Sequence, residues 1–158
     1  MVRKYVCAAF ITAVLGFANA VWGVDRSAVE KGNSTVSFTV IKDLNGVIEI
    51  PVSDFASGKA GYYIYRLPES SVRFLVLKSS DGVIRASLDA CNVCFSKKRG
   101  FHQEGDQTVC NTCGRRYPST VINDITGGCY PVPLTRSVKA GKVVLSAQEL
   151  KSLARYFL

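Results

Sequence analysis

Two Cys-x-x-Cys pairs, Cys91/Cys94 and Cys110/Cys113, stand fifteen residues apart in the stretch CNVCFSKKRGFHQEGDQTVCNTCG, residues 91 to 114. Two residues between thiols let one tight turn aim both sulfurs at a single centre, and a second such turn completes a tetrahedron. The spacing falls within that of four-thiolate metal sites. It points to a metal without choosing one, because zinc, mononuclear iron and iron-sulfur clusters all accept four thiolates. Neither pair is followed by His, so covalent c-type haem is excluded.

The chain has 158 residues, 47% hydrophobic and 20% charged, which is ordinary for one globular domain. Residues 1–20 read as an export signal. Arg3 and Lys4 open it, Tyr5 to Phe17 is apolar, and Ala18-Asn19-Ala20 is a small-x-small cleavage sequence. The alternative is an uncleaved anchor, since the apolar run stretches to Trp22. A polar lead over residues 21–33 and a single domain over 34–158 come next. Without Arg3 and Lys4 the chain keeps 18 of its 20 basic residues against 12 acidic ones, a net of +6 that suits an anionic partner or surface. Lys97, Lys98, Arg99, Arg115 and Arg116 flank the cysteine pairs. Such cations favour thiolate over thiol, and they would also serve as a docking rim.

Cys7 lies in the export segment, which leaves Cys91, Cys94, Cys110, Cys113 and Cys129. Five is odd, so pairing them all as disulfides leaves one thiol over.

Short apolar runs separated by turn residues predict a mainly β protein: Thr35 to Ile41, Val47 to Ile50, Gly61 to Leu67, Val72 to Leu77 and Val83 to Leu88. The first alternates Val36, Phe38 and Val40 with Thr35, Ser37 and Thr39. Asn45-Gly46 and Asp81-Gly82 supply turns. Spacing of roughly ten residues per strand argues for an antiparallel sandwich or small barrel. From Cys91 to Pro133 the apolar periodicity fades, and so long a polar segment needs something to fix it, a role that bound metal fills. A strand over Lys142 to Leu145 and a capping box at Ser146-Ala147-Gln148-Glu149 close the chain. The box opens a helix from Ala147 to about Phe157.

The second pair and its downstream loop, Cys110-Asn-Thr-Cys113-Gly-Arg-Arg-Tyr117 and then Gly127-Gly128-Cys129-Tyr-Pro131-Val-Pro133-Leu134, resemble the second cluster loop of Rieske iron-sulfur domains. Ile50-Pro-Val-Ser-Asp54, Gly58-Lys59 and Asp89-Ala90-Cys91 resemble the lead-in of the same family. The departure is that Rieske domains ligate with two Cys and two His, whereas Cys94 and Cys113 stand at or near the histidine positions here. An all-thiolate site sits at a lower potential.

A closer resemblance is to the FtrD-like family of membrane-associated, iron-sulfur-containing bacterial proteins. It rests on Asp89-Ala-Cys91-Asn-Val-Cys94, Gly100-Phe101-His-Gln103, Gly105-Asp106, Val109-Cys110-Asn-Thr-Cys113-Gly114 and Gly127-Gly-Cys129-Tyr-Pro131-Val-Pro133-Leu134, and it runs on to Arg155-Tyr156-Phe157. These resemblances imply a Rieske-like β domain with two cysteine-bearing metal loops and a short C-terminal helix. They further imply an iron-sulfur centre on Cys91, Cys94, Cys110 and Cys113, with Cys129 near the metal; that thiol is read either as a buried free thiol or disulfide partner of a loop cysteine, or as an exchangeable fifth ligand or resolving thiol. The implied role is electron transfer in the cell envelope, periplasmic or anchored to the cytoplasmic membrane facing the periplasm. The partner would be a redox protein or an iron permease in the bacterial membrane.

Rival readings stay open: a zinc-, iron- or copper-binding module or metallochaperone, disulfides, or thiol-disulfide exchange. The basic start is Arg3-Lys4 rather than a twin arginine, which favours delivery of an unfolded chain that acquires metal outside. His102, the one histidine, is a tempting ligand, although the cysteines already complete a site. Asp89 is expected to cap the first cysteine loop through backbone N–H groups rather than to act as a base. No paired carboxylates, Ser/His/Asp set, phosphate loop or aromatic-basic nucleic-acid surface is evident, so no small-molecule substrate or nucleic-acid partner is expected and a non-enzymatic carrier is favoured.

Overall fold

The computed structural model describes Val29–Lys31 and residues 36–158; the export segment and most of the lead lie outside the described residues. The chain is mainly β, as its sequence predicts. β1 (Val29–Lys31), β2 (Ser37–Ile41), β4 (Gly61–Arg66), β5 (Ser71–Lys78), β6 (Ile84–Cys91) and β10 (Pro131–Pro133) form a six-stranded sheet in the order β1-β2-β4-β5-β6-β10. β11 (Arg136–Lys139), β12 (Lys142–Ser146) and β3 (Val47–Pro51) make a second sheet. β7 (Phe101–Glu104), β8 (Gln107–Cys110) and β9 (Arg116–Pro118) make a third.

Sequence periodicity explains the layering. In β4 and β5, Tyr63, Tyr65, Val72, Phe74 and Val76 point to one face of the large sheet, and Tyr62, Ile64, Leu75 and Leu77 to the other. The first set packs with Ile48, Ile50, Val143, Leu145 and Leu150, which belong to β3, β12 and the helix after it. The second set packs with Phe101, Cys110, Tyr117 and Ile122 from the cysteine-bearing segment. The large sheet is therefore covered on both faces, and β4 and β5 carry apolar residues on both of them. All eight residues of β6 are buried.

Three features depart from expectation. β2 pairs with β4 in parallel, while every other named pair is antiparallel. The cause is that β3, between them in sequence, is taken by the second sheet, so the chain re-enters beside β2 in the same direction. The segment from Cys91 to Pro133 contains a three-stranded meander of its own. The terminal helix is shorter than its apolar spacing suggests. α1 spans Ala147–Ser152, and a 3-10 turn over Ala154–Tyr156 succeeds it. Ser146 accepts from the Glu149 N–H at 3.3 Å, the first half of the capping box. The Glu149 carboxylate does not return to Ser146; it takes the N–H and hydroxyl of Thr135 at 3.0–3.1 Å and so ties the helix to the start of β11.

Candidate metal centre

Each cysteine arrives from a different strand end or turn. Cys91 is the last residue of β6, and the chain then turns so that the Cys94 N–H donates to the Cys91 sulfur at 3.1 Å. A 3-10 turn over Phe95–Lys97 comes next, with Lys98 and Gly100 both at positive φ. Cys110 ends β8. Its carbonyl accepts from Gly114 N–H and its N–H donates to the Arg115 carbonyl, closing the turn that carries Cys113. Gly114 sits at φ +72°, a conformation that glycine adopts without strain. Cys129 comes from the loop before β10, whose Pro131 lies opposite Cys91 in the sheet.

The two cysteine turns are stitched together. Asn111, inside the second pair, donates its backbone N–H to the Gly100 carbonyl at 2.9 Å and its side-chain amide to the Arg99 carbonyl at 2.8 Å. Asp89 fixes the base of the first turn: it is 2% exposed, accepts the Phe101 N–H at 2.6 Å and lies 3.2 Å from the Arg73 guanidinium. Its role is the capping one expected. A Cβ on Gly100 would overlap both oxygens of that carboxylate. The Cys129 loop is held from the other side. Asn123 spans the Ala86 N–H at 2.8 Å and the Ala86 carbonyl at 2.7 Å, acting as a one-residue strand, while buried Arg85 reaches Asp124 at 3.2 Å.

These restraints bring the sulfurs together. Those of Cys91, Cys94 and Cys129 lie within 4.8 Å of one another, and so do those of Cys94, Cys110 and Cys113. Cys94 belongs to both groups, and all five described cysteines are free thiols, not disulfides. His102 stands apart from both groups. Its Nδ1 lies 2.6 Å from the Asn111 amide oxygen and its Nε2 2.8 Å from Glu104, so both ring nitrogens are committed to side-chain oxygens. The positions singled out in the sequence thus converge, except His102. Asp89 was expected as a cap; what the spacing did not reveal is the rest of the supporting frame, Gly100, Asn111 and Asn123, of which Gly100 and Asn111 stood within the resembled motifs without an assigned role.

Burial, then the neighbouring Cys91 and Cys110, push the Cys94 thiol far above its ordinary range. Burial likewise raises Cys110 and Cys129. Cys113, at the exposed edge, is lowered, chiefly because the Arg115 backbone N–H faces its sulfur. Asp89 is pushed up to about 7 by burial, against the pull of Arg73 and of the Phe101 N–H. A bound cation reverses this balance for the thiols, since coordination requires thiolates and releases their protons.

The donor set fits an iron-sulfur cluster: four thiolates are the usual ligands. Two buried hydroxyls beside the sulfurs, Thr112 Oγ1 and Tyr117 Oη, have no hydrogen-bond partner among the described residues. Orphan donors next to thiols are what a sulfur-rich anionic group would use.

The fold and site define a β protein with a clustered-thiol metal centre. The family model "Membrane iron-sulfur containing protein FtrD-like" matches residues 55–157, and the chain belongs to that family. No curated protein matches the sequence. Among the described residues no helix is long and apolar enough to cross a membrane.

Two substitutions test the frame and the ligand set. Gly100→Ala should destabilise the metal-free protein by about 2–4 kcal/mol in urea, from the positive-φ strain and the overlap with Asp89; a loss under about 1 kcal/mol would show that the loop relaxes. Cys94→Ser removes the sulfur common to both groups and should abolish cobalt-thiolate absorption in cobalt-loaded protein, whereas Cys129→Ser should retain most of it. Equal losses would make Cys129 an obligatory ligand.

Proposed function

We propose that the chain is an electron-transfer protein of the cell envelope, holding an iron-sulfur centre on Cys91, Cys94, Cys110 and Cys113, with Cys129 at its flank. The observation that carries this reading is the convergence of five free thiols from three separate chain segments, in a family described as iron-sulfur containing. When bound, such a centre supplies one-electron redox chemistry. This chain's residues bury one side of it, through Cys91 and Cys110 at 1% and 2% exposure, and leave the Cys113 side open to solvent.

Around that open side Lys97, Lys98, Arg99 and Arg115 are exposed and form no ion pair among the described residues. Val93, within the first cysteine pair, and Phe95, just after it, are exposed as well. Exposed apolar residues and cations close to the cysteine pairs in sequence suit a partner with an acidic face around its own redox centre. Placement on the outer side of the cytoplasmic membrane, and support of iron transport beside a permease, are the further roles that the family resemblance suggests.

A second reading is a single thiolate-bound ion without redox function, and sulfur spacing favours it. With Zn–S near 2.3 Å, a tetrahedral ion needs sulfurs about 3.8 Å apart, which the compact groups accommodate. Anaerobically purified protein separates the two. The first reading expects brown protein with visible charge-transfer absorption and iron and sulfide in equal amounts; colourless protein carrying one zinc would exclude it. The docking rim has its own check. Oxidation of reduced protein by anionic ferricyanide should slow several-fold in Lys97→Glu/Lys98→Glu and lose most of its dependence on ionic strength. An unchanged rate would remove the rim from the electron path.

A further inference from the structure

We propose that the five described thiols also make a dinuclear site for copper(I): two ions, each held by three thiolates, with the Cys94 sulfur bridging them. The proposal goes beyond the electron-transfer reading and does not depend on it. The sulfurs gather as two threes, Cys91 with Cys94 and Cys129, and Cys94 with Cys110 and Cys113, the members of each lying within 4.8 Å of one another. Three sulfurs in a triangle around one ion, at bonds near zinc's, stand about 4.0 Å apart, a separation that both groups permit. Cys94 alone belongs to both, and a thiolate has lone pairs enough to bind two ions at once. All five sulfurs are then used, including Cys129, which a four-cysteine centre leaves at its flank.

The donor set chooses the ion. Among the described residues no carboxylate or imidazole joins either group of three. The ring nitrogens of His102 are taken by Asn111 at 2.6 Å and Glu104 at 2.8 Å, and the Asp89 carboxylate by the Phe101 N–H and Arg73. Zinc asks for a fourth ligand. Copper(I), a soft ion with a filled d shell, is satisfied by three thiolates.

Local structure supplies the fifth sulfur. The Cys129 loop passes through Gly127 and Gly128 at φ +89° and +54°, which glycine adopts without strain. Asn123 and Asp124 pin the start of that loop to β6, and Pro131 pairs with Cys91 at its end. Binding breaks five S–H bonds, forms six copper–sulfur bonds and releases five protons to solvent; no electron moves. Five thiolates against two univalent cations leave the centre anionic, and the exposed Lys97, Lys98, Arg99 and Arg115, close to the pairs in sequence, favour that charge.

The test uses the full chain with Cys7→Ser, so that these five are its only thiols. The protein is stripped of metal anaerobically and titrated with copper(I) in competition with a chromophoric copper(I) chelator. The unaltered site should take two ions per chain, with X-ray absorption showing three sulfurs per copper and a copper–copper contact. Cys129→Ser and Cys113→Ser should each halve the copper held, and Cys94→Ser should abolish the copper–copper contact. One ion per chain at the unaltered site, or two without a copper–copper contact, overturns the proposal whether or not the variants fold, as does undiminished copper in both the Cys129 and Cys113 variants. Because the titration starts from metal-free protein, the iron and sulfide content that decides the reading above does not decide this one.

Discussion

A carboxylate in the wrong place for a carboxylate organises this site. Asp89 lies at 2% exposure two residues before the first ligand candidate, at the end of a fully buried strand. Buried charge is tolerated only when paired and hydrogen-bonded, and both conditions are met by groups whose positions then become fixed. Arg73 comes from the neighbouring strand β5, and its guanidinium also lies over the Phe38 and Phe157 rings. The Phe101 N–H comes from the first residue of β7. Asp89 thus joins the large sheet to the cysteine meander at the root of the first turn. The absent side chain of Gly100 is what lets the two approach. Because Asn111 bonds to Gly100 and Arg99, the same anchor sets the second turn relative to the first.

The frame holds the thiols near one another, but it does not make them thiolates. Burial pushes Cys94, Cys110 and Cys129 above the ordinary thiol range. Cys113 differs because a backbone N–H faces it and solvent reaches it. Assembly at such a site would begin at the open edge, where a thiolate is most accessible, and proceed inward as each coordinated cation makes the next deprotonation easier. β7, β8 and β9 are only three or four residues long, and Phe101, Thr108, Val109, Cys110 and Tyr117 are their buried positions.

Those short strands also explain what could be read from the chain alone. Within the large sheet β2, β4, β5 and β6 were legible because they carry five to eight patterned residues, with Phe38 and Val40 buried where alternation placed them. The meander was not, because Phe101-His-Gln-Glu and Gln-Thr-Val-Cys offer too few alternating apolar positions to stand out from loop. The four paired cysteines were legible from spacing, which is local. Cys129 was placed near the metal only through family resemblance, since its approach depends on Pro131 pairing with Cys91, a contact forty residues apart in sequence. The capping box misled in part because a carboxylate three residues after a serine can serve a distant N–H equally well, and here Thr135 is the partner.

Two ends of one centre are built for opposite tasks. The inner end, formed by Cys91 and Cys110, lies against Phe101, Ile122 and Leu75, where low dielectric strengthens every charge interaction and excludes water. The outer end, with Cys113 among exposed cations, lies in solvent, where the same charges are screened. A purely structural ion, with its four positions filled by protein ligands, has no need of this asymmetry. A centre that exchanges electrons needs one edge within reach of a partner and the rest shielded from it. The exposed sulfur of Cys113, beside cations that form no ion pair among the described residues, suits the electron-transfer reading proposed above.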